Sequence, residues 1–340
     1  NAWMPVPGWT GDHEWKGMVP FQDMPRMRNP ETGYIVTANN RVVDEEYPHY
    51  IGLDYAPEFR ARRVTDRLLA IKGKATADDM IAVHGDKTSI PAQTFVRLIA
   101  HLRPLDETST RAQERLASWD GEILKHRVEP TIYNTFRDQL VSLVLEPILG
   151  SLAEETLRGL GGGSGHVARL RSRFHTMIEE DDRSLLPPNS DWPSLMAKAL
   201  SEAVAKLTKD LGANMDNWKW GKVHHTQPQH TLSPSFPHLA EILNPPSLPA
   251  GGDNDTPQVG AYARAKPFIT RGVSVVRYVF DLDDWNNSAW IVPLGASGHP
   301  GSPHYADQAT TWGEVQLIPM LYDWTRIIQE AESSQKLKPL

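Results

Sequence analysis

Apolar residues recur at helical spacing through the middle of the chain, between residues 76 and 211. Thr76 and Asp79 have the spacing of a capping box, and apolar side chains follow directly after them. Further on, apolar faces of period 3.6 predict helices over 91–103, 107–124, 135–157, 165–180 and 191–211. Ser190 or Asp191 as the cap, with Pro193 in the first turn, is typical of a helix start at the last of these.

Strand-like patterns lie on both sides of the helical region. Residues 33–40 are rich in Tyr, Ile, Val and Thr and end in an Asn pair, which predicts a strand. A short amphipathic helix is predicted over 59–71. Beyond the helices, apolar runs at 273–280 and 289–292, separated by a polar turn, predict a hairpin. Residues 308–332 again favour a helix.

This order of elements indicates a helical insertion between two parts of one sheet-based core. It predicts a core segment over 1–72, a mainly helical insertion over 73–211, and core strands, long loops and a C-terminal helix over 212–340. With 340 residues and 40% hydrophobic content, the chain can bury a core of that size.

Composition narrows the classes of function. Lys and Arg number 35 against 42 Asp and Glu, so the net charge of -7 argues against a nucleic-acid partner. The chain has no cysteine, which excludes disulfides and thiolate metal sites. No run of 18 apolar residues occurs, so the sequence predicts no insertion into a membrane.

Short blocks along the whole chain follow an order that is typical of one enzyme family. They are Trp-Thr-Gly at 9–11, Glu-Trp-Lys-Gly at 14–17, Pro-Phe at 20–21, Asn-Pro at 29–30, Gly-Tyr-Ile at 33–35, Ala-Asn-Asn at 38–40, Tyr-Pro at 47–48, Trp-Lys-Trp-Gly at 218–221, Gly-Gly-Asp-Asn-Asp-Thr at 251–256 and Ser-Gly-His-Pro-Gly-Ser-Pro-His-Tyr at 297–305. With these blocks the chain resembles the penicillin acylase (penicillin amidase) family of N-terminal nucleophile hydrolases.

The resemblance implies an α/β (α+β) fold with the four-layer αββα core of N-terminal nucleophile hydrolases and a helical insertion. In that family a precursor cleaves itself into two chains, and the second chain begins with a Ser. Its hydroxyl attacks the amide carbonyl, and its free α-amine acts as the base. Asn1 has no hydroxyl group and cannot be this nucleophile. The chain is therefore expected to be the C-terminal part of the second (β) chain and to be inactive alone. Its expected partners are the α chain, the N-terminal part of the β chain and a small acylated amide substrate.

Two active-site positions of the family fall on this sequence. The first Asn of the pair corresponds to Asn39, whose amide is expected to donate a hydrogen bond to the oxyanion of the tetrahedral intermediate. An Arg that orients the nucleophile corresponds best to Arg63, with Arg60 and Arg62 as alternatives. A simpler interpretation remains for each, because Asn favours turns at strand ends and an Arg run often forms a solvated helix face.

The resemblance implies no required cofactor. Relatives commonly hold a structural calcium ion, but most ligands would lie outside this chain, and the spacing of the nearest acid, Asp54, departs from the pattern. No metal-binding residue is therefore assigned. A periplasmic or extracellular location is expected from the resemblance alone.

Other readings stay open at this point. The chain could be a binding or structural module that keeps the acylase fold without catalysis. A separate serine hydrolase could use His299 or His304 with Ser302 and Asp307, although a triad is defined by geometry and not by proximity in sequence. The remaining His residues, at 224, 225, 230 and 238, favour packing or loop roles, and 251–255 favours a tight turn.

Overall fold

A computed structural model describes residues 4–159, 165–264 and 266–339. The chain forms two compact units that divide between Glu58 and Phe59. The three segments predicted from the sequence, which divide after residues 72 and 211, remain predictions about the parts of a larger core.

The first unit holds little regular structure. Two 3₁₀ helices, Gly8–Thr10 and Phe21–Asp23, are its helical elements among the described residues. None of residues 4–58 is buried. Turns, bends and irregular backbone make up the rest of this unit, and its side chains are half-buried or exposed.

The strand predicted over 33–40 is wrong in this structure. Residues 34–37 pair with no other described strand. The backbone N–H of Ala38 donates instead to Asn40 Oδ1 at 2.9 Å, and Asn39 takes the left-handed conformation with φ of 61°. An Asn side chain that captures a nearby backbone donor competes with a strand ladder, and the turn prevails here.

The second unit is mainly helical in its first half. Its helices are α1 (Phe59–Ala70), α2 (Ala77–His84), α3 (Ile90–Ala100), α4 (Glu107–Ala117), α5 (Glu129–Leu149), α6 (Ala153–Arg158), α7 (Gly165–Glu179), α8 (Trp192–Leu211), α9 (Trp220–Val223), α10 (Ala240–Leu243), α11 (Ala309–Gly313) and α12 (Trp324–Glu330). Helix α5 packs against α8, and the hydrophobic core lies around them. Ile132, Phe136 and Leu140 of α5 are fully buried.

The predicted helix starts are confirmed where a cap could be read from spacing. Thr76 Oγ1 accepts from the Asp79 N–H, and the Asp79 carboxylate accepts from the Thr76 N–H, which completes the capping box of α2. Asp191 caps α8 through the Ser194 N–H at 2.8 Å. The helix predicted over 107–124 ends at Ala117, with Ser118 as its C-cap, and the chain turns further on at Gly121, with φ of 83°.

Two small antiparallel sheets follow the helices. Strands β1 (Gly260–Ala263) and β2 (Lys266–Val273) form one sheet. Strands β3 (Arg277–Val279), β4 (Ala289–Ile291) and β5 (Ile318–Pro319) form the other, in the order β3-β4-β5. The predicted hairpin is confirmed as β3–β4, with Tyr278 opposite Trp290.

The helical structure predicted within 308–332 is confirmed near the end of this range, and its middle is not helical. Helices α11 and α12 lie at its two ends, and β5 lies between them. Val315 has φ of 58°, which ends the helical path before β5. Among the described residues, no helix is long and apolar enough to cross a membrane.

Candidate functional site

Asn39 lies on a turn of the first unit. Its φ of 61° places it in the left-handed region, which Asn adopts more readily than most residues. Its carbonyl oxygen accepts a hydrogen bond from the Ala56 N–H at 2.8 Å. The residue is exposed. The backbone at this position is therefore fixed on both sides, by the Asn40 side chain and by Ala56.

Arg63 lies on α1 of the second unit and is held by an acid from another element. Its Nε donates to Asp86 Oδ1 at 2.9 Å, and its Nη2 donates to Asp86 Oδ2 at 2.7 Å. Asp86 is buried, whereas the Arg63 side chain keeps 24% of its surface exposed. The hydrogen bonds that Arg63 donates to the Asp86 carboxylate raise the pKa of Arg63, so the guanidinium stays charged. The pair uses the Nε–Nη2 edge, and Nη1 takes no part in it.

The two alternatives to Arg63 have different surroundings. Arg62 is exposed on the outer face of α1. Arg60 is half-buried, and burial lowers the pKa of Arg60 while the charge on Asp255 partly offsets that effect. Arg63 is held in a bidentate ion pair with Asp86 that fixes the plane of its guanidinium.

Sequence reasoning missed Asp86. It lies between the end of α2 and Ser89, the N-cap of α3. Its Oδ1 accepts from the Thr88 N–H at 3.0 Å, a local turn that an Asp two residues before a Thr could have suggested. Its pairing with Arg63, 23 residues away, is a non-local contact that no local sequence pattern predicts.

A second buried polar group was also missed. Arg137 of α5 pairs with Asp255 of the 251–255 turn, Nη1 to Oδ2, at 2.7 Å, and both side chains are almost fully buried. Asp253 accepts from the Asp255 N–H at 2.8 Å through Oδ1. Burial and the charge on Asp255 raise the pKa of Asp253. The turn was predicted, but its attachment to the helical core through Arg137 was not.

The described residues hold no group of carboxylates that would form a calcium site by itself. Within residues 4–159, 165–264 and 266–339, no three His, Asp or Glu side chains come together as a metal site. Asp255 is engaged by Arg137, and Asp54 is exposed. Calcium thus stays a prediction to which no residue of this chain is assigned.

The alternative serine triad is not formed. His304 Nδ1 contacts Asp307 Oδ2 at 2.9 Å, and His304 Nε2 contacts Glu332 Oε2 at 2.9 Å. These carboxylates raise the pKa of His304, and neither ring nitrogen faces a serine hydroxyl. His299 Nδ1 accepts a hydrogen bond from the backbone two residues on, at 3.0 Å. Ser302 Oγ accepts from the His304 N–H, so its contact is with backbone and not with a base.

His224 has the packing role expected from the sequence. It is fully buried and stacks on Trp220, with ring centroids 4.4 Å apart. Its Nδ1 lies 2.7 Å from the Phe268 carbonyl, to which it donates. Burial lowers the pKa of His224 to about 4, so the ring is neutral near pH 7.

Comparison with known proteins identifies the relatives of this chain. The family model for penicillin amidase matches residues 1–329. The chain is 40% identical to a penicillin acylase 2 proenzyme from Pseudomonas sp. (strain SE83), over 100% of this chain and 43% of that protein. It is 25% identical to the acyl-homoserine lactone acylase QuiP of Pseudomonas fluorescens, over 93% of this chain and 40% of that protein. The chain thus spans less than half the length of these curated relatives.

A solved structure agrees with these matches. A thermostable penicillin G acylase from Alcaligenes faecalis superposes with a TM-score of 0.59, covering 97% of this chain and 61% of that one. At 18% identity this likeness shows the fold alone. The α+β class and the N-terminal nucleophile hydrolase fold predicted from the sequence are confirmed.

Proposed function

The chain belongs to the penicillin amidase family, and from that membership we propose that it is the C-terminal part of a penicillin-acylase-type amidohydrolase. The carrying observation is the 40% identity to a penicillin acylase proenzyme along the whole chain. The reaction is hydrolysis of a linear amide through an acyl-enzyme on an N-terminal Ser outside this sequence. Relatives named as penicillin and acyl-homoserine lactone acylases leave two classes of acylated amine as substrates.

Asn39 is the proposed oxyanion donor. An oxyanion hole needs a neutral donor that is fixed before the reaction, because reorganisation would reduce its benefit. The left-handed backbone of Asn39, the hydrogen bond from the Ala56 N–H to its carbonyl oxygen, and the hydrogen bond from the Ala38 N–H to Asn40 Oδ1 beside it support the proposed role. The exposure of Asn39 in this chain is compatible with a substrate reaching it.

Arg63 is the proposed orienting residue for the nucleophile and its amine. Its charge is maintained by Asp86, and its side chain is partly exposed. A guanidinium fixed in one plane can hold a polar group in a defined direction, which a mobile Lys does less well.

Exposed apolar side chains in both units support the proposal that other chains bind this one. In the first unit Trp9, Trp15 and Phe21 are each at least 85% exposed. In the second unit the rings of Phe280, Trp285 and Tyr322 contact one another in a row. Each of these side chains is 44–46% exposed. Exposed apolar surface of this extent is typical of interaction sites. The α chain and the N-terminal part of the β chain are the proposed occupants, in keeping with the proenzyme relatives.

Substitution of Asn39 in the complete processed enzyme tests this function. Asn39→Gly keeps the left-handed backbone and removes the donor, so kcat should fall at least about tenfold. Asn29, with φ of 48°, is the matched control in the same unit. Asn29→Gly should leave kcat unchanged. Full activity of Asn39→Gly would refute the oxyanion assignment, and activity of this chain alone would refute the proposed division of the site.

A non-catalytic module with the acylase fold is the second candidate. It is favoured by the wide exposed apolar surface, which a pure binding protein would also need. The N-terminal sequence of the native protein separates the two. A self-cleaved chain that begins with Ser, Cys or Thr supports the enzyme, and an unprocessed polypeptide supports the module. The periplasmic or extracellular location is part of the proposal and rests on the resemblance.

A further inference from the structure

Asp86 is held in position by contacts from several parts of the second unit. Its carboxylate receives both donors of the Arg63 edge and the Thr88 N–H. Its carbonyl oxygen accepts from the Gln258 N–H at 2.8 Å, which ties it to the segment after the 251–255 turn. Arg67 Nε lies 3.6 Å from Asp86 Oδ2. The carboxylate is therefore fixed from several elements of the second unit.

We propose that Asp86 is a positioning residue for the acylase reaction, fixing the plane of the Arg63 guanidinium and leaving Nη1 for the groups that Arg63 orients. This inference rests on the function proposed above. Asp86 acts through Arg63 and touches no reacting atom. It extends the site beyond the two positions that the family resemblance supplied.

Stability alone is a poor explanation for this pair. A buried ion pair loses much of its Coulomb energy to desolvation, so its net stabilisation is small compared with an apolar replacement. The bidentate geometry does provide orientation, because two parallel hydrogen bonds prevent rotation of the guanidinium. A supporting residue that is itself immobile is what a precise site requires. Asp86 has that property through Thr88 and Gln258.

The test uses the complete processed enzyme and a chromogenic acyl-amide substrate. Asp86→Asn keeps the side-chain volume and removes one charged acceptor of Arg63. We expect kcat to fall about tenfold or more with little change in KM, because a small misplacement of an orienting group slows the chemical step. Arg63→Gln and the double variant R63Q/D86N should have the same kcat within about twofold, because Asp86 has nothing left to position.

Asp138 provides the matched control. Its carboxylate pairs with Arg264 Nε at 2.8 Å, and both side chains are largely buried. Asp138→Asn should lower the midpoint of thermal unfolding much as Asp86→Asn does, with kcat retained. Wild-type kcat in Asp86→Asn, an equal loss in Asp138→Asn, or a double variant far below R63Q overturns the positioning role while acylase activity stands. A wild-type enzyme that hydrolyses no acyl amide overturns the proposed function, and this inference with it.

Discussion

Residues 4–58 contain two 3₁₀ helices and no buried side chain, whereas residues 59–339 pack α5 against α8 around fully buried residues such as Ile132 and Leu140. Both units carry large apolar side chains, so composition does not explain the contrast. The spacing of the apolar residues explains the contrast, because apolar residues at helical spacing share one face of a helix and can bury it. In the first unit Pro, Gly and Asn interrupt any such face. Its large apolar side chains stay exposed in this chain, and the partner chains proposed above would cover them.

A pair of Phe→Ala variants tests this contrast most strongly. Phe136 of α5 is fully buried and contacts Phe95 edge-on, with centroids 5.6 Å apart. Phe136→Ala should lower the free energy of unfolding by about 3–5 kcal/mol through lost burial and a cavity. Phe21 is 85% exposed, so Phe21→Ala should change the free energy of unfolding by less than about 0.5 kcal/mol in this chain alone. Chemical denaturation measures both.

The same pair sharpens the role of the partners. In the complete enzyme Phe21→Ala should become destabilising, because the partner chains would cover its side chain. An unchanged midpoint for Phe21→Ala in the complete enzyme would contradict that burial. A mild effect of Phe136→Ala in this chain would contradict the contrast between the units.

The second comparison of the two units uses the pH dependence of stability, through a buried His of the second unit and an exposed His of the first. The pKa of His224 is lowered to about 4 by burial, against about 6.5 in the unfolded chain. Below pH 6.5 the unfolded state binds more protons than the folded state, so stability is lost as pH falls toward 4. His224→Gln removes this titration, and the loss of stability between pH 7 and pH 5 should become smaller.

His13 of the first unit is the control for His224. It is exposed, so His13→Gln should leave the pH profile of unfolding unchanged. Thermal unfolding of both variants and the parent chain, followed by circular dichroism across this pH range, gives the comparison. Identical slopes for His224→Gln and the parent would show that His224 is not held neutral by burial.

The sequence predicted features that depend on neighbouring residues, and it did not predict features that depend on contacts between distant residues. The Thr76–Asp79 capping box was predicted correctly, and Asp191 proved to be the cap of α8 out of the two predicted candidates, Ser190 and Asp191. Both features depend on residues within one helical turn. The strand over 33–40 failed because a strand depends on a partner, and the Asn40 side chain captured the Ala38 donor instead. The family resemblance supplied Asn39 and Arg63. It could not supply Asp86, whose burial and pairing arise from packing of α1 against the segment after α2.

The smallest expected effect concerns hydrogen bonds at the surface. Asp191 caps α8, the helix on which α5 packs, and Asp191→Ala should cost about 1 kcal/mol of unfolding free energy. Thr10 makes a similar local bond, Oγ1 to the Pro7 carbonyl at 3.1 Å, in the first unit. Thr10→Ala should have no measurable effect, because no buried element depends on that turn. Equal costs for the two variants, measured by urea denaturation, would mean that residues 4–58 unfold together with the helical core and that the contrast between the units is one of packing density alone.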